Sequence, residues 1–541
     1  MLTKILMLVI FFVMMIAIGI ACRKHAKSVD GFVLGGRSVG AWFTAFAFGT
    51  SYFSAVIFVG YAGQFGWRFG LASTWIGLGN AFIGSLLAWI VLGRRTRIMT
   101  QHLNSRTMPD FFALRYQSNG LKVAASIIVF IFLIPYTASL FNGLSRLFTM
   151  AFPGIDYAWC VIAMAVLTGI YVIVGGYMAT AVNDFIQGII MIFGIVAVIF
   201  AVLHGQGGLT EAIAKLSQTS TVTSAGTEFQ GAYTSFLGAD PVFLFFVIIL
   251  TSLGTWGLPQ MVGKFYAIKD EDSIKKGTVI STVFAVIVAG GCYFLGGFGR
   301  LFSDAITYQA DGVTPVYDSI VPSMLANLSP ILIGIVLVLV LSASMSTLSS
   351  LVLTSSSTIT LDLIAPATKK GLSEKKKMVL MRSFIAFFVV ISALIAIVQA
   401  KSNVVFIAQL MGVSWGALAG AFLAPFLYGL FWKRTTKTAC WVSFFWGVAL
   451  SLIQLAKSLT GFTFGVGFLD KVIFATSIHS GAIAMLGGLL LVPLVSLLTK
   501  KPDAAQVDSI FRCYDKTTTV PVKESLGDVG LSMMCYTFGK E

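Results

Sequence analysis

Hydroxyl side chains are concentrated in one apolar stretch of the chain, at residues 342–358. In a helix, the hydroxyls of Ser346 and Thr347 would lie beside the carbonyl of Ala343, and further serines follow one turn later on the same side. A hard monovalent cation binds several oxygens, and this stripe provides them without burying much charge. On the stripe alone, close helix packing through small residues and serine hydrogen bonds is the more common explanation.

An acidic residue, Asp184, lies inside another apolar stretch. An ionisable group there costs a few kcal/mol unless it is paired or solvated, so a functional role is the first hypothesis. The alternative is that its side chain reaches the membrane interface about one turn away. Asp362, at the inner end of the hydroxyl-rich stretch, is expected to be more exposed and to cap or pair locally.

Patterns typical of catalysis are missing from the sequence. The segment 257–264 resembles a phosphate-binding loop but has one residue too many, and Phe265 follows the lysine in place of Ser or Thr. The histidines are far apart and form neither an HExxH motif nor a Cys/His ligand spacing: His25, His102, His204 and His479. The chain is therefore not expected to be an enzyme or an ATP-driven pump, and no organic cofactor, transition metal or catalytic residue is predicted.

The composition requires lipid as the solvent for most of the chain. Hydrophobic residues make up 57% and charged residues only 11% of the 541 positions, which excludes a water-soluble globular protein of this size. Apolar runs long enough to cross the bilayer as helices recur up to about residue 499. An all-α, multi-pass membrane protein is predicted.

The net charge of +15 reflects membrane topology rather than a nucleic-acid partner. The basic residues are concentrated in alternate loops, which the positive-inside rule places in the cytoplasm: 23–37, 94–122, 264–276, 369–382, 433–437 and 500–501. This pattern predicts a protein of the cell (inner) membrane with its N-terminus outside and its C-terminus in the cytoplasm.

About thirteen spans satisfy these conditions. They are centred near residues 5–22, 40–65, 71–93, 122–145, 157–175, 179–204, 240–262, 277–299, 326–363, 378–399, 404–431, 438–460 and 476–499. Two of the spans are interrupted by small and hydrogen-bonding residues, at 49–54 and 251–259. The two interruptions lie five spans apart, so in an inverted repeat of five plus five helices they would meet near the bilayer midplane and offer backbone carbonyls to a cation.

Four short segments of the chain resemble the sodium/solute symporter family, in the order and at the membrane positions of that family. They are Leu34-Gly35-Gly36-Arg37-Ser38-Val39-Gly40, Gly175-Gly176 followed by Asn183-Asp184 and Gln187, Met345 to Ser349, and Ile359 to Leu363. The Gly-Gly-Arg-Ser, Val182-Asn183-Asp184 and Trp256-Gly257-Leu258-Pro259 elements are most similar to the sodium/proline and sodium/pantothenate symporter branch. The resemblance implies a leucine-transporter-type 5+5 inverted repeat with extra N- and C-terminal helices. One transmembrane domain would cover 1–499, with repeats at about 40–204 and 240–431, and 500–541 would form a cytoplasmic tail.

The resemblance also implies cation ligands. The main sodium site of the family would use the backbone carbonyls of Thr50, Phe53 and Ala343 and the hydroxyls of Ser346 and Thr347. A second sodium site, present in some members, would join these two hydroxyls to three further side chains, Asp184, Ser349 and Ser350. One or two ions per transport cycle both remain open.

The substrate is less clearly indicated. Tyr136 matches an aromatic residue of proline carriers, but Thr251 and Thr255 stand where a tryptophan and a tyrosine are expected, and Tyr52 replaces the family's acidic residue two positions after Thr50. The candidate pocket residues are Tyr136, Thr251, Thr255, Trp256 and Gln64. Plain helix packing is the alternative for each.

The function implied by the resemblance is sodium-coupled symport of a small organic solute by alternating access. The solute would be an amino acid or carboxylate-like, such as proline or pantothenate, and the partners would be sodium ions and the lipid bilayer, with the protein acting as a monomer and without nucleic acid. A proton-coupled transporter using Asp184 is the nearest alternative, and a transporter-like channel or sensor is another. The hydroxyl stripe favours sodium, because hydroxyls do not titrate usefully.

Overall fold

The computed structural model describes residues 2–222, 228–309, 312–368, 371–402 and 407–515. The described chain is helical apart from loops and one two-stranded antiparallel pair, β1 Thr221–Val222 and β2 Glu228–Phe229. The α-helices are α1 Leu2–Cys22, α2 Val29–Leu34, α3 Ala41–Tyr52, α4 Ala62–Phe69, α5 Thr74–Gly79, α6 Arg94–His102, α7 Met108–Tyr116, α8 Asn119–Ala151, α9 Tyr157–Gly205, α10 Leu209–Gln218, α11 Pro241–Gly257, α12 Pro259–Ala267, α13 Glu271–Ala285, α14 Gly291–Gly296, α15 Tyr317–Leu325, α16 Pro330–Thr358, α17 Ala365–Ala367, α18 Glu374–Ser402, α19 Ile407–Phe431, α20 Lys437–Thr460, α21 Ser477–Leu498 and α22 Ala504–Phe511.

The described residues also contain six segments of wider, π-helical geometry, most of which continue one of these helices into a longer rod. They are Val56–Tyr61, Asn80–Leu87, Trp89–Gly93, Val286–Gly290, Ile359–Ile364 and Leu469–Ile473. Short 3-10 turns lie at Arg23–Lys27, Gly35–Arg37, Gly70–Ser73, Ala232–Thr234, Gly299–Ala305 and Arg512–Tyr514.

Ten helical rods in the described residues are long and apolar enough to cross a membrane, or eleven if the bent pair α11 and α12 is one span. Two of them, Val56–His102 and Tyr157–Gly205, have 47 and 49 residues. A straight helix of 49 residues is about 73 Å long, more than twice the hydrocarbon thickness of about 30 Å. The second rod is in fact broken at Gly176, which has a φ of 57° and a backbone packed against Phe32.

Both predicted helix interruptions are present. Helix α3 ends at Tyr52, and the chain is extended at Phe53 before it becomes helical again at Ala55. The side chain of Ser54 caps the new start by accepting a hydrogen bond from the Val56 amide. Between α11 and α12 the chain bends by 45° at Leu258 and Pro259, because proline has no amide hydrogen to continue the helix.

The hydroxyl-rich helix α16 lies in the interior of the helical bundle. It packs against α1, α3, α8, α9 and α18, and most of its side chains are buried inside the protein. Its serine and threonine side chains therefore meet other helices rather than lipid, which is the placement that both helix packing and cation binding require.

The beginning of the predicted tail is folded. Helix α22 packs against α6, with Phe511 beneath the guanidinium of Arg115 and Asp508 paired to Lys433 at 2.7 Å. The apolar residues Val507 and Ile510 of this helix are buried. Residues 516–541 of the tail, and the start of the predicted span 404–431, lie outside the described residues.

Candidate cation and solute site

The end of α3 presents unpaired backbone oxygens to α16. Because the helix stops at Tyr52, the carbonyl of Thr50 has no amide four residues ahead to bond with. Two hydroxyls of α16 donate to it instead, Ser346 at 2.9 Å and Thr347 at 3.2 Å. Both hydroxyls also lie 3.1 Å from the carbonyl oxygen of Ala343.

These contacts bring four of the five predicted main-site residues together. Thr50, Ser346 and Thr347 are fully buried and Ala343 is 2% exposed. Phe53, the fifth, lines a small cavity together with Ala343 and Leu339. The converging atoms are all neutral oxygens, two of them backbone carbonyls beside a helix break, and this donor chemistry fits a sodium ion.

The residues around the predicted second sodium site include a lysine that the sequence analysis does not place there. Ser349 donates to the carbonyl of Ser346 at 2.8 Å. Ser350 lies one helical turn after Ser346, as the helical spacing predicts. However, the Lys264 ammonium donates to the Ser350 hydroxyl at 2.9 Å and lies 3.7 Å from a carboxylate oxygen of Asp184. Asp184 is fully buried and Lys264 is 3% exposed.

The expectation that Lys264 belongs to an exposed basic loop is therefore wrong. The sequence places this lysine at the start of the basic cluster 264–276, two positions after the predicted end of the seventh span. In the structure, α12 continues the broken span to Ala267, so Lys264 lies on a helix inside the bundle. The signal available in the sequence was the proline-initiated segment 259–267, which is long enough to carry the span further.

Asp362 is also buried, contrary to the expectation of an exposed, locally paired side chain. It is 3% exposed and accepts a hydrogen bond of 2.6 Å from Thr107, with Lys122 at 3.4 Å. Thr107 in addition caps α7 by accepting from the Asp110 amide. The cluster connects the segment Ile359–Ile364, which continues α16, to the neighbouring helices α7 and α8, which are distant from it in sequence.

An open cleft with an empty volume of about 520 Å³, open solvent included, borders this region. Its lining includes Lys264 and Ser350, and also Arg106 and Thr107, which directly precede α7. The cleft is bordered by α2, α9, α12 and α16. Of the candidate cation ligands on α16, Ser350 lines this cleft.

The candidate solute residues separate into three groups. Tyr136 is fully buried with its ring edge-on to Trp415, at 6.0 Å between ring centres, and Trp415 is stacked on Tyr52. The Tyr52 hydroxyl donates to the carbonyl of Thr251 at 2.5 Å, so these four residues form one group next to the α3 break. We refer to Tyr52, Tyr136, Thr251 and Trp415 as the aromatic group.

Thr255 and Trp256 point elsewhere. The Thr255 hydroxyl donates to the carbonyl of Gly84 at 2.9 Å, and the Trp256 indole donates to that of Ile83 at 3.0 Å. These contacts support helix packing for both residues. Gln64 is half-buried in α4, which packs on α14 and α15, and is apart from the aromatic group.

Sequence reasoning named two members of the aromatic group as pocket residues, Tyr136 and Thr251, and missed two. The sequence marks Tyr52 only as the replacement of an acidic residue, and it gives no sign of Trp415. Trp415 lies in the middle of the apolar helix α19, where the sequence pattern does not distinguish it from a residue that packs in the core.

Comparisons with known proteins agree with this architecture. Residues 32–447 match the model of the sodium:solute symporter family. The sodium/proline symporter of Salmonella typhimurium is 28% identical over 83% of this chain and 89% of its own length. The osmoregulated proline transporter OpuE of Bacillus subtilis is 27% identical over 92% of this chain and 95% of its own.

A solved structure shows the same fold. A Na+-coupled sialic acid symporter, in a substrate-bound outward-open state, superposes with a TM-score of 0.70 over 93% of this chain and 99% of its own, at 16% sequence identity. The family model covers well over half of the 541 residues. The chain therefore belongs to the sodium:solute symporter family, whose members are membrane transporters and not enzymes.

Proposed function

We propose that this protein imports a small organic solute by sodium-coupled symport through alternating access. One observation carries the proposal. The Thr50 carbonyl, which the end of α3 leaves without a helical partner, accepts hydrogen bonds from the hydroxyls of Ser346 and Thr347. A sodium ion bound by these atoms and the carbonyls of Phe53 and Ala343 would connect α3 to α16. Ion binding would then stabilise one arrangement of the two helices, which is how an ion couples to a conformational change.

The proposed solute is an amino acid or a related small carboxylate, with proline as the first compound to test. Two of the relatives described above are named for proline. The aromatic group places aromatic faces beside the α3 break, without the tryptophan and tyrosine expected on α11. We propose that Tyr136 and Thr251 contact the solute, together with Tyr52 and Trp415, and that Thr255, Trp256 and Gln64 support the surrounding helices.

We further propose thirteen spans arranged as a 5+5 inverted repeat. Counting the bent pair as one span gives eleven, and treating each of the two longest rods as two crossings adds two more. The domain would cover 1–499 with repeats at about 40–204 and 240–431, followed by a cytoplasmic tail at 500–541. The basic loops support an N-terminus outside and a C-terminus in the cytoplasm of a bacterial inner membrane. We expect the protein to act as a monomer.

The energetics allow useful accumulation with a single ion. A tenfold sodium gradient supplies about 1.4 kcal/mol and a potential of 100 mV about 2.3 kcal/mol per charge, so one sodium ion sustains roughly 500-fold accumulation of a neutral solute.

The test is uptake of radiolabelled proline, followed by a panel of amino acids and small carboxylates, into proteoliposomes of the purified protein. An inward sodium gradient is compared with choline at equal ionic strength, and with a proton gradient in choline. Sodium-driven uptake that is lost in Thr347→Ala supports the proposal. Uptake of these solutes driven equally by protons without sodium, or insensitive to Thr347→Ala, contradicts it.

A further inference from the structure

A lysine side chain lies among the residues of the predicted second sodium site. The Lys264 ammonium is 2.9 Å from the Ser350 hydroxyl, 3.7 Å from a carboxylate oxygen of Asp184 and 5.3 Å from the ring centre of Tyr177. Two of these groups, Asp184 and Ser350, are the acidic ligand and one of the hydroxyl ligands predicted for the second site. The lysine and the aspartate are both almost completely removed from solvent.

The break between α11 and α12 places the lysine there. The bend of 45° at Leu258 and Pro259 separates α12 from the line of α11, and α12 then packs against α3 and α16. Lys264 lies in the last turn of α12, where its side chain reaches the turn of α16 that carries Ser350. The lysine is therefore positioned by the same helix break that gives the fold its discontinuous span.

The hydrogen bonds around Ser350 are those of a site that already holds a cation. An ammonium has only donors, so the Ser350 oxygen accepts from Lys264, and the Ser350 hydroxyl also shares a hydrogen bond of 2.8 Å with the Ser51 hydroxyl. Neither carboxylate oxygen of Asp184 has a hydrogen-bond partner of normal geometry in the described part of the chain, so the ammonium is the charge that offsets the carboxylate. A buried carboxylate requires such a partner.

A sodium ion does not fit beside this ammonium. It would place two positive charges a few ångströms apart against the single negative charge of Asp184, in surroundings that screen the repulsion poorly. It would also have to bind the Ser350 oxygen from which Lys264 already takes a lone pair. The residues present thus fit the lysine and exclude a second ion.

We propose that the Lys264 ammonium is a built-in cation that occupies the second cation position, so that this protein binds a single sodium ion, at the main site. The inference rests on the proposed sodium coupling and gives it a stoichiometry. With one sodium per solute, accumulation of a neutral solute at a tenfold gradient and 100 mV is limited to roughly 500-fold, whereas a second ion would square that limit.

The experiment is to count bound sodium on the detergent-purified, full-length protein with radioactive 22Na+ at saturation. Wild type is compared with Lys264→Met, which keeps the length of the side chain and removes its charge, and with the double variant Lys264→Met plus Asp184→Asn. Lys457→Met is the matched control, because Lys457 pairs with Asp470 at 2.6 Å in a different part of the protein. Thr347→Ala, which removes a proposed hydroxyl ligand of the main site, tests whether the counted sodium ion binds there.

The expected result is one ion for wild type and Lys457→Met, two ions for Lys264→Met, and a return to one ion for the double variant. Two ions on wild type overturn the inference and leave sodium coupling intact, as does a folded Lys264→Met protein that still binds one. If Lys264→Met does not fold, the comparison of wild type with the double variant decides. One bound sodium ion on each protein supports the inference, and one ion fewer on the double variant than on wild type overturns it. No sodium on wild type overturns the proposed coupling and the inference with it.

Discussion

The hydroxyl of Ser346 donates a hydrogen bond of 2.9 Å to the carbonyl oxygen of Thr50, which joins the middle of α16 to the point where α3 unwinds. The two residues are 296 positions apart in the chain and both are fully buried. A helix end inside the protein needs partners for its last carbonyls, and α16 supplies them from side chains. The same oxygens are the ones that a sodium ion would bind, so helix packing and ion binding use one set of atoms.

Thr347→Ala removes one of the proposed ligands and is expected to weaken sodium binding. We expect at least a tenfold loss of affinity, about 1.4 kcal/mol, because a single ligand oxygen is deleted from a small site. The measurement is the rise in melting temperature on replacing choline by sodium at constant ionic strength. Thr347→Ser keeps the hydroxyl and should keep most of the sodium-specific rise. An equal rise in wild type and Thr347→Ala would contradict the site.

Asp184→Asn is expected to destabilise the protein by leaving the Lys264 charge buried without its partner. Breaking one side of a buried ion pair typically costs about 3–5 kcal/mol. Combining it with Lys264→Met removes both charges, so the double variant should be more stable than the sum of the single changes predicts. The measurement is a double-mutant cycle of melting temperatures for wild type, the two single variants and the double variant. Additive changes in melting temperature would show that the two groups do not interact.

The sequence predicted the elements of the cation site better than their partners. The helix breaks follow from local chemistry, Gly49 to Ser54 in one span and Pro259 in the other, and the hydroxyl stripe follows from helical spacing. Lys264 and Asp362 could not be placed in this way, because their burial depends on how far a span continues and on which distant helix faces it. Trp415 was missed for the same reason, since an aromatic residue in an apolar helix gives no sign of what it contacts.

Tyr136→Phe is expected to weaken solute transport without weakening the fold. The phenol oxygen is buried and makes no hydrogen bond of normal geometry to any described residue, so its loss removes no bond of the folded protein. The ring contact with Trp415 is kept. We expect KM for the solute to rise about tenfold, the value of one hydrogen bond of about 1.4 kcal/mol, with an unchanged melting temperature.

The matched control is Tyr116→Phe. Its hydroxyl is also buried but donates to the carbonyl of Pro425 at 2.6 Å, outside the aromatic group. This change should lower the melting temperature and leave KM as it is, because it leaves a buried carbonyl with one partner fewer. A lowered melting temperature with unchanged KM for Tyr136→Phe would assign Tyr136 a packing role only.

Helix α22 is expected to stabilise the helical bundle, although it lies after the last apolar span. Phe511 is buried beneath the Arg115 guanidinium, and Arg95 lies over the Tyr514 ring at 4.6 Å. Deleting 500–541 should lower the melting temperature by several degrees more than deleting 516–541, since only the longer deletion removes these contacts. The difference between the two deletions measures what 500–515 contributes. Phe511→Ala in the full-length chain should reproduce a large part of it, because truncating a buried aromatic side chain costs about 3–5 kcal/mol in a well-packed core and less at a surface helix. Equal melting temperatures for the two deletions would show that α22 adds nothing to stability.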